Sequence, residues 1–171
     1  KTVDDEAILQ TSITGWELKP VAYVLGLTNL ILHEIDVPDY HYIDSLKKEY
    51  NSIGKKDQVD VILANPPFGA SIADGVETNF PTAYRCKESA DLFVILMLQL
   101  LKPNGRCAIV LPDGSITGDG IKFRIREKLL TDCNLHTIIR LPQSTFFPAN
   151  VNTNLLFFEK GTPTKEIWYY E

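Results

Sequence analysis

The chain has 171 residues, 44% hydrophobic and 23% charged, which is enough apolar material to bury a core, so residues 1–171 are expected to form one domain. No segment approaches the roughly 20 consecutive apolar residues of a membrane span, and Lys1-Thr2-Val3-Asp4-Asp5-Glu6 has no signal-peptide character, so a cytoplasmic location is expected. The net charge of −5 argues against a chain that neutralises a phosphate backbone unaided, and Cys86, Cys107, Cys133, His33, His41 and His136 lack the spacing of a disulfide framework or a metal site.

In chain order, β-branched residues ahead of Gly15-Trp16-Glu17 predict a strand over residues 11–16. Pro20 suits a first helical turn. Val21, Val24, Leu25, Thr28, Ile31 and Leu32 then recur at helical spacing, which predicts an amphipathic helix over 20–34. A short strand over 40–43 follows, ending at Asp44-Ser45-Leu46. Glu17 and Asp44 thus both stand at the carboxyl end of a strand, where acids commonly take ribose hydroxyls. Two simpler roles stay open: Glu17 as an acid favoured at a helix start, and Asp44-Ser45 as a helix N-cap.

The next stretch is Gln58-Val59-Asp60-Val61-Ile62-Leu63-Ala64-Asn65-Pro66-Pro67-Phe68-Gly69. Its β-formers predict a strand buried on both faces, stopped by two prolines that cannot donate to a ladder. The strand end presents an acceptor amide, Asn65, and an aromatic face, Phe68. These suit a planar heterocycle carrying an exocyclic amine: the Asn65 side-chain oxygen and the Pro66 carbonyl would accept from the NH2 group while Phe68 stacks on the ring. A rigid strand-ending turn with no chemistry is the alternative.

Residues 69–88 have loop composition and follow this strand end directly, where loops often close over a site. A nearly continuous apolar run over 89–101 predicts a buried helix ended by Lys102-Pro103-Asn104-Gly105, with Asp91 near its head as a cap. A buried strand over 106–111 ends at Pro112-Asp113-Gly114. Residues 121–130 alternate like a strand at first, but length and basic residues favour a helix. Strands over 135–141 and 153–160, with no helix between them, predict an antiparallel hairpin at one edge of a mostly parallel α/β sheet. Phe146 and Phe147, between them, could wall a base pocket or fill the core. Lys122, Arg124, Arg126, Lys128 and Arg140 concentrate basic charge in the later half.

Asn65-Pro66-Pro67-Phe68 resembles the signature of methyltransferases that act on amino groups with S-adenosylmethionine, in its N6-adenine form. Further motifs extend the likeness in order along almost the whole chain: Gly15-Trp16-Glu17 ahead of a helix with Thr28-Asn29-Leu30-Ile31-Leu32-His33, then Ala90-Asp91-Leu92-Phe93, Leu100-Leu101-Lys102-Pro103-Asn104-Gly105-Arg106, Val110-Leu111-Pro112-Asp113-Gly114, Ile139-Arg140-Leu141-Pro142 and Asn152-Thr153-Asn154-Leu155-Leu156-Phe157-Phe158. The chain therefore resembles the modification subunit of type I restriction-modification systems. That resemblance implies a Rossmann-like class I methyltransferase fold and N6-methylation of an adenine flipped out of double-stranded DNA. Asn65, Pro66, Pro67 and Phe68 would be the catalytic turn. Glu17 would bind the cofactor's ribose, and Asp44, Ser45 and Leu46 its adenine, with Asn65 at the cofactor too. A specificity subunit and a restriction subunit are the implied partners.

The family's glycine-containing turn after its first strand has no counterpart here, so the first strand of this chain corresponds to the family's second. The chain is accordingly expected to be a fragment of the catalytic domain that binds S-adenosylmethionine weakly or not at all. A protein-glutamine methyltransferase is an alternative, since an amide also presents an NH2 group, although those enzymes usually carry Tyr in the fourth place of the signature. A non-catalytic interaction module is another.

Overall fold

The computed structural model describes residues 2–171, which form two compact units, one in the first 48 residues and one over Glu49–Glu171. No helix among the described residues is long and apolar enough to cross a membrane.

The first unit runs α1 (Val3–Thr11), β1 (Thr14–Glu17), α2 (Pro20–Leu32), β2 (Asp39–Tyr42) and a 3-10 turn (Ser45–Lys47). Helix α1 departs from the expectation of a strand from residue 11. A capping box closes its start: the Asp5 N–H donates to Thr2 Oγ1, the Thr2 N–H donates to Asp5 Oδ2, and Asp4, Asp5 and Glu6 favour the positive end of the helix. These local bonds outweigh the β-propensity of Ile8 and Thr11. The Gln10 carboxamide then joins α1 to the turn after α2, donating to the Glu34 carbonyl (2.5 Å) and accepting from the Asp36 N–H (2.9 Å).

Strands β1 and β2 pair in parallel with Gly15 opposite Tyr40. The Tyr40 ring lies where a side chain on Gly15 would stand, and its hydroxyl is 2.5 Å from the position of a Cβ on Gly26 of α2. Tyr23 stacks on Tyr40 with centroids 5.3 Å apart. Helix and strands therefore meet through one aromatic seated over two glycines. Much of the apolar surface of α2 is open, with Val21 73%, Leu25 65% and Leu32 76% exposed.

The second unit contains β3 (Val59–Ala64), α3 (Ser89–Leu100), β4 (Leu101–Pro112), α4 (Asp113–Thr117), α5 (Ile121–Asp132), β5 (Cys133–Leu141), β6 (Thr153–Lys160) and β7 (Trp168–Tyr170). Its sheet has the order β3-β4-β6-β5-β7. The β3/β4 and β5/β7 pairs are parallel; β4/β6 and β5/β6 are antiparallel. The expected hairpin of β5 and β6 is present, with β6 slotted between β4 and β5 and the short β7 extending the sheet beyond it. Strand β3 lies at the other edge rather than between neighbours, so Val61 and Leu63 are open where burial on both faces was expected.

Helix α3 is buried nearly all round, with Leu92, Ile95 and Leu96 at 2% exposure or less, as its apolar run requires. The Lys160 ammonium donates to the Leu98 and Leu101 carbonyls (2.6 and 2.8 Å), placing a cation at the negative end of the helix, while burial lowers its pKa from the ordinary lysine value. The Lys102-Pro103-Asn104-Gly105 turn ends α3 as expected but forms an irregularity inside β4, whose pairing jumps from Val59↔Leu101 to Val61↔Arg106. Residues 121–132 are helical because Ile125 and Leu129, one turn apart, both face the core.

Candidate active site

In the second unit, several chain segments converge at the carboxyl end of β3 and β4. Strand β3 stops at Ala64 and delivers Asn65, which is exposed and has no hydrogen-bond partner for its carboxamide among the described residues. Pro66 is buried and Phe68 half-buried. Phe146 closes the 3-10 turn that follows β5 and meets Phe68 edge to face, with centroids 5.0 Å apart and the planes at 76°. Of the adjacent aromatics, then, neither belongs to the core: Phe146 pairs with Phe68, and Phe147 is 82% exposed. An unpartnered amide beside a two-ring aromatic wall can accept from an amine and stack a flat ring.

Asp113, first residue of α4 at the end of β4, ties the neighbouring strand ends together. Its carboxylate accepts from Arg140 Nη2 (2.8 Å) at the end of β5 and from Asn154 Nδ2 (2.7 Å) at the start of β6, and its N–H donates to the Asn152 carbonyl (3.0 Å). Charge-assisted bonds of this kind hold geometry well. The sequence offered Asp113, Arg140 and Asn154 only within motifs, Arg140 also as part of the basic charge of the later half. The signal available was that Arg140 and Asn154 stand at the joined ends of the 135–141 and 153–160 strands predicted to pair as a hairpin.

Behind Asn65, the 69–88 loop is fastened rather than free. Phe80 is 1% exposed, Arg85 donates to the Phe80 and Thr78 carbonyls, and Lys87 pairs with Asp74 and Glu77 at 2.9 and 2.8 Å. Asp91 does not cap α3, whose N-cap is Glu88 with no side-chain cap bond; it lies in the first turn, is 2% exposed and ion-pairs with Lys122 of α5 at 2.8 Å.

In the first unit, Glu17 and Asp44 lie at the carboxyl ends of paired parallel strands, where the Ile43 N–H donates to the Glu17 carbonyl at 3.1 Å. Glu17 Oε1 accepts from the Lys19 N–H (2.6 Å) at the start of α2, and Asp44 Oδ1 accepts from the Leu46 N–H (3.1 Å) as cap of the 3-10 turn. Both structural roles are therefore real. Each carboxylate keeps its second oxygen without a hydrogen-bond partner among the described residues. Ser45 is half-buried and Leu46 is 3% exposed.

The basic cluster is largely consumed internally. Lys122 serves Asp91, Arg126 donates to the Ser115 and Gly118 carbonyls, Lys128 pairs with Asp132 and Arg140 with Asp113. Arg124 is exposed. The thiols of Cys107 and Cys133 are pushed up to about 12 by burial first, so they remain protonated core groups.

A mixed α/β sheet that carries an amide-Pro-Pro-aromatic turn at the carboxyl end of a parallel-paired strand and continues into an antiparallel hairpin is the class I S-adenosylmethionine-dependent methyltransferase fold. A Listeria monocytogenes protein described as belonging to that class shares it, with a TM-score of 0.71 at 20% identity over 96% of this chain and 52% of its own. The chain belongs to the N-6 DNA methylase family, whose model matches residues 1–171. It is 47% identical over its whole length to the methylase subunit of the type I restriction enzyme EcoEI from Escherichia coli, of which it covers 35%. A Vibrio vulnificus crystal structure described as a modification subunit of a type I restriction enzyme superposes with a TM-score of 0.93 at 44% identity, covering 99% of this chain and 37% of that one. The chain thus spans about a third of the length of these type I relatives.

Proposed function

We propose that this chain carries the catalytic turn of a DNA adenine N6-methyltransferase, the methylase subunit of a type I restriction-modification enzyme. The observation that carries the reading is the exposed, unpartnered Asn65 carboxamide at the end of β3 beside the Phe68–Phe146 wall. Family membership and the names of the type I relatives support adenine in DNA over a protein glutamine as the substrate.

S-adenosylmethionine supplies an electrophilic methyl group on a sulfonium. The protein's work is to hold and aim the acceptor. The Asn65 oxygen and the Pro66 carbonyl accept the two N–H groups of the adenine amine, which turns its lone pair out of the ring plane and toward the methyl carbon; Phe68 and Phe146 stack and wall the flipped base. Alignment of this kind is worth on the order of 7–11 kcal/mol.

The first unit fits the cofactor. Glu17 and Asp44 each retain a free acceptor oxygen at adjacent strand ends, for ribose hydroxyls and for the adenine side respectively, with Ser45 and Leu46 beside Asp44. The net charge of −5 and the self-neutralised basic cluster leave most of the DNA contact to other parts of the assembly. A specificity subunit and a restriction subunit are the partners that complete it, in the cytoplasm.

The test is Asn65→Ala in the full-length protein within its assembly, assayed by transfer of tritiated methyl from S-adenosylmethionine to genomic DNA lacking N6-methyladenine. By analogy with loss of an oxyanion-hole donor, turnover should fall roughly 10²- to 10³-fold. Methylation at the wild-type rate would overturn the assignment.

A further inference from the structure

The Asn65–Phe68 turn has an unusual weakness. Pro66 and Pro67 fix φ but lack N–H groups, so neither can lock the turn with a backbone donor of its own, and the rotation that aims each carbonyl stays soft. Something outside the turn has to hold it.

Ser89 is the first residue of α3 and is 4% exposed. Its hydroxyl donates to the Pro67 carbonyl at 3.0 Å, and its N–H donates to the Ala70 carbonyl at 3.2 Å. A third bond, from the Ile72 N–H to the Lys87 carbonyl (3.1 Å), lies alongside, with Ser71 and Glu88 forming an antiparallel bridge. The backbone donor is available because the first N–H groups of a helix have no partner within it. The hydroxyl has no competing water, because the side chain is buried. Behind Ser89, Ala90 and Leu92 at 1% and 0% exposure fix the start of α3 in the core. One residue thus clasps both sides of Phe68 to the most buried helix of the unit.

We propose that Ser89 is a positioning residue for methyl transfer. Its hydroxyl sets the orientation of the Pro67 peptide and so aims the Pro66 carbonyl, the Asn65 carboxamide and the Phe68 ring at the acceptor amine. This inference rests on the function proposed above and adds to it a residue that touches neither substrate nor cofactor.

The experiment uses the full-length protein in its assembly, tritiated S-adenosylmethionine and genomic DNA lacking N6-methyladenine. Ser89→Ala should lower kcat on the order of 10- to 100-fold, the scale of a small misplacement of reacting groups. The KM for S-adenosylmethionine should stay within about twofold, because ground-state cofactor binding is not what the bond controls. Ser89→Thr, which keeps the hydroxyl, should recover most of the rate. If Ser89→Ala does not fold, Ser89→Cys keeps the volume with a weaker donor, and the same split is read from it.

An unchanged kcat, a loss carried wholly by KM, or a Ser89→Thr variant as slow as Ser89→Ala each overturns the proposal. Asn65→Ala is run in parallel. If it methylates normally, the reading of the site falls and Ser89 with it. If Asn65→Ala is silent while Ser89→Ala is normal, only the role of Ser89 falls.

Discussion

Lys122 reaches from α5 into the head of α3 to neutralise Asp91, a carboxylate only 2% exposed, and it lies 3.5 Å from Glu88 as well. Removing one partner of such a pair leaves a buried charge uncompensated, so Lys122→Met should destabilise by about 3 kcal/mol. Pairing it with Asp91→Leu should return most of that, since replacing both partners by apolar groups is often close to neutral. Burial opposes the Lys122 ammonium, but the hydrogen bond and charge of Asp91, with Glu88, outweigh it and hold its pKa above the ordinary 10.5. A raised folded-state pKa contributes stability that is fully present below 10.5 and is lost as pH climbs through the folded value. Urea midpoints of wild type and Lys122→Met should therefore differ at pH 8 and converge in strong alkali. Midpoints that differ equally at both pH values, or at neither, would refute the account. At this scale the sequence disclosed what sits in consecutive residues, such as the rigid Asn-Pro-Pro-Phe strand end. It hid what chain reversal brings together: Ser89 meets Pro67 across 22 residues, and Asn154 meets Asp113 across 41.

Helix α2 is held to β1 and β2 by shape more than by buried area. No α2 residue is buried, yet the Tyr40 ring occupies the space above both Gly15 and Gly26. Gly15→Ala would drive a methyl into that ring, and overpacking of this kind costs about 1–3 kcal/mol. Hydrogen exchange of the full-length protein should show α2 and β2 losing protection while α3 keeps it; unchanged protection in α2 would mean the ring has room to move. Periodicity located α2, the length of an apolar run located α3, and the lack of a helix between two strands located the β5–β6 hairpin, because each is written in local sequence. Helix α1 escaped because its signal is a capping box, Thr2 with Asp5, rather than an apolar stripe. Strand β7 went undefined because three exposed aromatics, Trp168, Tyr169 and Tyr170, carry no alternation.

Across the whole molecule, the largest departure from sequence expectation is β3. A run such as Val-Asp-Val-Ile-Leu-Ala has the composition of an interior parallel strand, and periodicity cannot report whether neighbours are present on both sides. Here the strand has one hydrogen-bonded edge, on β4, and its outer residues are open, with Val61 50% and Leu63 79% exposed. An exposed, apolar, unprotected edge is a template for pairing with another chain. The polypeptide of residues 1–171 alone, of 19.3 kDa, should therefore self-associate at tens of micromolar concentrations in light scattering, the regime in which exposed edges and apolar surface drive aggregation. Leu63→Lys, which places a charge on that edge, should shift it toward monomer, and its melting temperature should hold because the removed side chain packs against little. A wild-type polypeptide that stays monomeric would show that the edge is harmless. If Leu63→Lys associates as strongly as wild type, the contact lies elsewhere, and the open apolar residues of α2 become the surface to charge next.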